Sequence, residues 1–425
     1  MKSNIKSVWN TVLTIHHSAH LWRMGLFGLV SAIPLAFLLS VVTFWLTDYG
    51  CSPGHIGVMS WMMIPYGLKI FLGPIIQMTS FGFLGRRYGH YRIWIVVSQM
   101  GVVACIFALS LIHPLERFVL ARALCFVTAL FGAMQDCALE GYRVHSTPEA
   151  QQSAVSGANS MGYRIGLWGT TCIALIFSCY NWFFAFFCIS GLLVVTSMLC
   201  LWRLPQPKHW KETFSLHQYG RLLAQGWAFF QKTYYFSSVL AMIGAQKLGD
   251  IFLRSMWSHY FIKAGYTKQQ IVTIDKGFGI VATIIGIRLG VAWIERKGLA
   301  HGFRLWAVLQ GLMALLFVAH ACFDRQHFGL FFASVSVNHL VGGMGNVTIL
   351  TYLSQLCKGH DQQDTLRYAM VSSLGSFGRT VVSYFACLVA DVVPFWWVFF
   401  AFSALMCWPA FILSFAQRPF KKRGD

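Results

Sequence analysis

Residues 93–112 read IWIVVSQMGVVACIFALSLI, and no charged side chain interrupts them. An α-helix rises about 1.5 Å per residue, so about 20 apolar residues span the hydrocarbon core of a bilayer. The chain repeats this pattern about twelve times, which predicts an all-α membrane protein with twelve transmembrane helices. The predicted spans are 22–47, 54–78, 93–112, 117–139, 154–178, 181–202, 236–262, 270–294, 303–321, 328–356, 366–390 and 394–416.

The composition indicates a protein that is surrounded by lipid. Of the 425 residues, 56% are hydrophobic and only 11% are charged, whereas soluble proteins carry about 25% charged residues. The net charge of +19 is a feature that nucleic-acid-binding proteins share. Here, however, Lys and Arg fall mainly in the loops of one face, which is the positive-inside pattern of membrane proteins. The expected partner is therefore a lipid bilayer and not a nucleic acid.

The loop charges also orient the chain. With the N-terminus placed in the cytoplasm, the Lys and Arg residues of the outer loops are few, namely Arg117, Lys263, Lys268 and Arg325. Both termini are then predicted to be cytoplasmic. A polar, basic linker divides the spans into two sets of six, so the predicted domains are a first half at 1–202, a linker at 203–235 and a second half at 236–425. This plan resembles the major facilitator superfamily, in which two six-helix halves rock about a site at the bilayer midplane.

Two basic turns at equivalent places suggest that the halves repeat each other. The loop after the second span contains a glycine-rich turn with clustered arginines, residues 82–92, and the loop after the eighth span contains Glu295-Arg296-Lys297-Gly298. Each turn is short, and topogenic charge in a tight turn would also explain it. Together they fit an internal repeat.

Several charged residues lie inside the predicted spans. A Lys, Arg or Asp that faces lipid at mid-depth costs on the order of 3 kcal/mol or more, so these residues are expected to face a polar interior or each other. The spacing of Lys247, Asp250 and Arg254 places them on one helix face, where Asp250 can pair with either cation. The cations that we expect to bind a substrate in the shared cavity are Lys69, Arg164, Lys247, Arg254 and Arg379.

A cavity with surplus positive charge attracts carboxylates and phosphates. Trp168 and Trp257 lie within spans, and their aromatic faces suit sugar rings. Packing and anchoring at the membrane interface would also explain these tryptophans. Asp250 is the predicted proton-coupling acid. We expect an inner gate in which Asp136 and Glu140, at the inner end of the fourth span, meet basic residues. The candidates for those basic residues are Arg86, Arg87 and Arg143.

No nucleophile triad, metal-ligand cluster or phosphate-binding loop is visible in the sequence. The chain is therefore not expected to be an enzyme. It is predicted to have no catalytic residues, no metal and no cofactor, with the proton as the only coupling ion.

Short motifs in both halves resemble those of the AmpG family of muropeptide permeases, within the major facilitator superfamily. The resemblance covers nearly the whole chain in order. In the first half its motifs are Lys69–Pro74, Leu84–Gly89, Gln135-Asp136 with Glu140–Arg143, and Gly162–Gly166. In the second half they are Lys247–Asp250, Asp275–Gly279, Glu295–Leu299, Gly342–Gly345, Arg367–Ala369 and Gly378-Arg379.

The resemblance implies a secondary transporter of the bacterial inner membrane. Such a transporter imports anhydro-muropeptides, which are anionic glycopeptide fragments of the cell wall, for recycling by alternating access and proton symport. The chain departs from the family pattern at Gln77, where the family usually has an acid, and at Glu140-Gly141, where it usually has Asp-Ala. Two alternatives therefore stay open, namely transport of another large anion such as acetyl-CoA, and a non-transporting membrane sensor. The expected state is a monomer.

Overall fold

The computed structural model describes residues 19–50, 62–79, 81–201, 248–254, 260–267, 273–323, 327–357, 366–373 and 395–406, with a few single residues between these ranges. Every regular element in them is helical. The α-helices are α1 Ala19–Ala36, α2 Val42–Asp48, α3 Ile64–Gly67, α4 Lys69–Met78, α5 Gly82–Tyr88, α6 His90–Ser110, α7 Phe118–Ser146, α8 Gln152–Ser178, α9 Trp182–Leu201, α10 Gly279–Lys297, α11 Leu299–Cys322, α12 Phe328–Cys357 and α13 Trp396–Leu405. The π-helical segment Phe37–Val41 joins α1 to α2, and the segment Thr273–Phe278 precedes α10.

Seven helical runs among the described residues are long and apolar enough to cross a membrane. They are His20–Leu46, His90–Ser110, Phe118–Ser146, Trp182–Leu199, Thr273–Lys297, Leu299–Cys322 and Phe328–Gln355. The predicted all-α, multi-pass membrane class is confirmed. The seventh and eleventh predicted spans fall largely outside the described residues, so the count of twelve spans and the cytoplasmic termini stay predictions.

The chain divides into two compact units, and the first contains residues 1–227 together with 354–373. Its tightest contact is between α1 and α8, where glycines let the two backbones touch. A Cβ atom added to Gly162 would lie 1.8 Å from the carbonyl oxygen of Gly25, and one added to Gly28 would lie 1.9 Å from that of Asn159. In lipid the hydrophobic effect does not drive helices together, so association depends on close packing, which small residues at such crossings permit.

The second unit contains residues 228–353 and 374–425. Its helices α10 and α12 approach equally closely, because a Cβ atom on Gly286 would lie 1.9 Å from the carbonyl oxygen of Leu340. The predicted linker 203–235 lies almost wholly outside the described residues. Unlike the first predicted half, the first unit also includes 354–373, and the boundary between the units falls within the predicted linker.

The two basic turns adopt the same backbone conformation. Gly89, between α5 and α6, has φ 93°, and Gly298, between α10 and α11, has φ 83°. Residues with a side chain rarely adopt such angles. Glycine therefore permits the sharp reversal at both places, in agreement with the predicted internal repeat.

Candidate functional site

A proline in α1 organises the polar centre of the first unit. In an α-helix the carbonyl of Val30 would accept a hydrogen bond from the N–H four residues later, but Pro34 occupies that position and has no N–H. The side-chain amide of Gln135 on α7 donates to this carbonyl instead, at 2.9 Å. The neighbouring Asp136 accepts a hydrogen bond from the Ser31 hydroxyl at 2.5 Å. Because the proline leaves this carbonyl free to accept, a side chain of α7 can form a hydrogen bond to the backbone of α1.

Lys69 is buried between two acids of α7. Its Nζ lies 3.0 Å from Oδ2 of Asp136 and 3.6 Å from Oε1 of Glu140, and only 7% of the residue is exposed. Two carboxylates therefore balance its single charge, and its predicted contact with a substrate stays a prediction. The other oxygen of Glu140, Oε2, is buried and has no hydrogen-bond partner within the described part of the chain.

The basic residues proposed for the inner gate occupy different surroundings. Arg87 is exposed and lies over the Tyr88 ring at 5.5 Å, whereas the side chain of Arg86 is outside the description. Among the described side chains, Lys69 forms ion pairs with both Asp136 and Glu140. Their role as a gate stays a prediction.

Arg143 is the buried arginine of α7, with 1% of its surface exposed. It donates to Oγ of Ser354 at 2.7 Å and to Oγ of Ser156 at 3.4 Å. Its guanidinium also lies 5.0 Å from the ring of Tyr368. Arg143 therefore holds the segment 354–373 within the first unit.

Arg164 and Trp168 share one face of α8, because residues four apart lie one above the other. The opposite face carries Gly162 and Gly166, which contact the backbone of α1. Arg164 is half-buried and lies near the middle of the helix, where facing lipid would be costly. We therefore expect this face to be directed toward a polar region, and Trp168, which is 50% exposed, shares it.

In the second unit, the predicted charges of the seventh span form a pair. Nε of Arg254 lies 2.8 Å from Oδ1 of Asp250, one helical turn away. The Arg254 guanidinium also lies over the ring of Trp257 at 5.5 Å, and Trp257 is buried. Arg254 is therefore balanced by an acid, as Lys69 is. Lys247 and Arg379 lie outside the described residues.

A second polar pair in this unit is buried and contains none of the predicted site residues. Nε2 of His339 on α12 lies 2.7 Å from Oδ1 of Asp275, which belongs to the π-helical segment Thr273–Phe278. Nδ1 of His339 lies 3.2 Å from Oγ1 of Thr283 on α10. The Trp257 ring lies 5.7 Å from the imidazole, so this pair adjoins Trp257 and Arg254.

A cavity of about 410 Å³ opens elsewhere in the second unit. Its walls include Thr267, Gln270, Thr273, Phe278 and Phe328, and none of the predicted site residues lines it. Within the described ranges, no three His, Cys, Asp or Glu residues are grouped to hold a metal ion.

No family model matches the chain. Among curated proteins, "Putative transporter AmpG 4" of Rickettsia conorii is 25% identical over 95% of this chain and 98% of its own length. The protein of the same name from Rickettsia felis is 24% identical over 96% of this chain and 99% of its own length.

The fold has a solved counterpart. The crystal structure of the major facilitator superfamily transporter FucP in the outward conformation matches with a TM-score of 0.67 and 14% identity. The match covers 95% of this chain and 99% of that one, and at this identity it shows the fold alone. The resemblance that the motifs predicted is confirmed: this multi-pass membrane chain is similar along nearly its whole length to proteins named as AmpG transporters and not as enzymes, and it has the fold of a major facilitator superfamily transporter.

Proposed function

We propose that the chain is a secondary transporter that imports anhydro-muropeptides across the bacterial inner membrane, driven by protons. The observation that carries this proposal is the Arg164–Trp168 face of α8. A guanidinium binds carboxylates through paired, charge-assisted hydrogen bonds, and an indole ring offers a flat apolar surface to a sugar. A muropeptide carries both groups. The similarity to relatives named AmpG transporters along nearly the whole chain supports a role in transport.

The proposed substrate contact in the described part of the chain is Arg164. It lies near the middle of α8 and shares a helix face with Trp168. Lys69 and Arg254 each contact an acid, and their binding of a substrate carboxylate stays a proposal. Lys247 and Arg379 stay proposed ligands on the strength of sequence.

The test is uptake of labelled anhydro-muropeptide into proteoliposomes with an inward proton gradient. We expect Arg164→Gln to lower uptake about tenfold or more, the size of one lost charge-assisted hydrogen bond. Trp168→Ala should lower it about threefold or more. The matched controls are Arg117→Gln and Trp22→Ala, which change exposed residues of the same types and should leave uptake within about twofold.

Three outcomes would contradict parts of the proposal. Uptake that an uncoupler does not reduce would exclude proton coupling. Uptake that excess acetyl-CoA abolishes, and unlabelled muropeptide does not, would replace the substrate by a nucleotide-like anion, since phosphates bind the same guanidinium. The absence of any uptake by the folded wild-type protein would favour a membrane sensor.

A further inference from the structure

Asp275 and His339 form a titratable pair inside the membrane. They are 9% and 8% exposed, and His339 lies about 5 Å from the middle of α12. Ionisable residues at this depth are costly and mark ion or proton pathways in membrane proteins. Asp275 lies in a π-helical segment, an irregularity that is frequent at functional sites.

The hydrogen bonds around His339 accommodate two protonation states of the pair. The Thr283 hydroxyl has a single proton, and its oxygen lies 2.8 Å from the carbonyl oxygen of Gly279 and 3.2 Å from Nδ1 of His339. When the hydroxyl donates to Gly279, Nδ1 donates to the hydroxyl oxygen, and the 2.7 Å contact between Nε2 and Oδ1 of Asp275 then holds an additional proton.

Loss of that proton would rearrange the hydrogen bonds. The imidazole would become neutral with its remaining proton on Nε2, donating to the Asp275 carboxylate, and Nδ1 would become an acceptor. The Thr283 hydroxyl would then turn to donate to Nδ1 and would release the Gly279 carbonyl. Protonation of the pair is therefore linked to the first turn of α10, where the π-helical segment meets the α-helix.

The close approach of the two helices depends on glycine at this turn. A Cβ atom on Gly279 would lie 2.5 Å from Cδ2 of His339. The imidazole therefore lies directly against the backbone of Gly279, whose carbonyl can accept a hydrogen bond from Thr283.

A second charged pair lies close to Asp275 and His339. From the helix that contains 248–254, Arg254 reaches toward α12, since its Nη2 lies 2.8 Å from a Cβ atom placed on Gly342, one turn beyond His339. Its charge is balanced by Asp250. Trp257 lies between this ion pair and the imidazole, and α11 contributes Phe317, 6.0 Å from Trp257. Asp275 itself is in direct contact with His339.

From this geometry we infer that Asp275 and His339, and not Asp250, bind the coupling proton of the transport cycle. The inference rests on the proposed proton-coupled transport. The proton enters from the outer solution, joins Nε2 or Oδ1 without any other bond forming or breaking, and leaves to the cytoplasm.

The first test separates coupling from transport. His339→Gln keeps a hydrogen-bonding side chain but cannot carry the proton, and Asp275→Asn serves where that variant does not fold. We expect gradient-driven accumulation of labelled muropeptide to fall about tenfold or more, whereas exchange at equal pH stays within about threefold of the wild-type rate. The control is His320→Gln, a buried histidine of α11 that contacts Tyr260 and Tyr266, which should keep accumulation. Accumulation by His339→Gln and Asp275→Asn at the wild-type level would overturn the inference.

The second test needs no substrate. An infrared titration of the purified protein between about pH 5 and pH 8 follows buried carboxyl and imidazole groups. We expect a signal that disappears in both Asp275→Asn and His339→Gln and persists in Asp250→Asn. A signal lost only in Asp250→Asn would restore that residue as the proton site. If the wild-type protein transports nothing, the proposed function fails, and this titration alone decides whether the pair binds a proton.

Discussion

In each predicted half, a buried polar pair joins the second span to the fourth, but the two pairs differ in chemistry. In the first unit Lys69 meets Asp136, with Glu140 close by. In the second unit Asp275 meets His339. Lysine and carboxylates keep opposite charges in a close ion pair, whereas a histidine can gain or lose its charge near neutral pH. The equivalent helices are therefore joined by a lysine–carboxylate ion pair in one unit and, by our inference, by a proton-dependent contact in the other.

The largest expected effect concerns the backbone approach beneath the titratable pair. Gly286→Ala would place a Cβ atom 1.9 Å from the Leu340 carbonyl oxygen, so α10 and α12 must move apart. We expect a loss of about 4 kcal/mol in the free energy of unfolding, measured by denaturant unfolding in detergent. The control is Gly311→Ala on α11, which has open space around it and should be neutral or slightly stabilising. Equal stability of the two variants would show that the helices of this pair are not in fixed contact.

Removal of the Lys69 charge should have the next largest effect on stability. Lys69→Met leaves Asp136 and Glu140 buried without a counter-charge, and we expect a loss of about 3 kcal/mol in the free energy of unfolding. Adding Asp136→Asn should recover part of that loss, because it removes one of the uncompensated acids. A Lys69→Met protein as stable as the wild type would mean that the Lys69–Asp136 ion pair does not stabilise the first unit. The difference in chemistry between the two pairs would then have no structural consequence.

The sequence predicted the helices well, because long apolar runs leave few alternatives in lipid. The predicted span 181–202 became α9 Trp182–Leu201, and 328–356 became α12 Phe328–Cys357. The motif resemblance also identified the correct kind of relative. Both signals are local, and each can be read without knowing which helices touch.

The partners of the buried charges could not be predicted in the same way. Lys69 was recognised because a lysine in an apolar run is conspicuous, but its neutralisation depends on where α7 packs. His339 was overlooked because histidine was not counted among the charged residues of the spans. A search for every titratable side chain within an apolar run would have found it. Asp275 was noted only as part of a motif, and nothing in its neighbourhood of sequence points to residue 339.

The smallest expected effect concerns the hydrogen bond that positions Asp136. Gln135→Leu leaves the Val30 carbonyl buried without its side-chain partner, and we expect a loss of about 2 kcal/mol in the free energy of unfolding. The matched control is Gln310→Leu, a buried glutamine of α11, which tests whether any buried amide would have the same effect. If Pro34→Ala restores the stability of the Gln135→Leu protein, the lost carbonyl bond is the cause, since alanine supplies the missing N–H.

The bond between the Val30 carbonyl and Gln135 also constrains how this chain can evolve. A proline at position 34 is tolerated because an amide reaches over from another helix, and that amide is useful at position 135 only while the proline remains. Substitutions at these two positions, which are 101 residues apart in the sequence, should therefore accumulate together among homologues. Lineages that lost the proline are expected to show apolar residues opposite it.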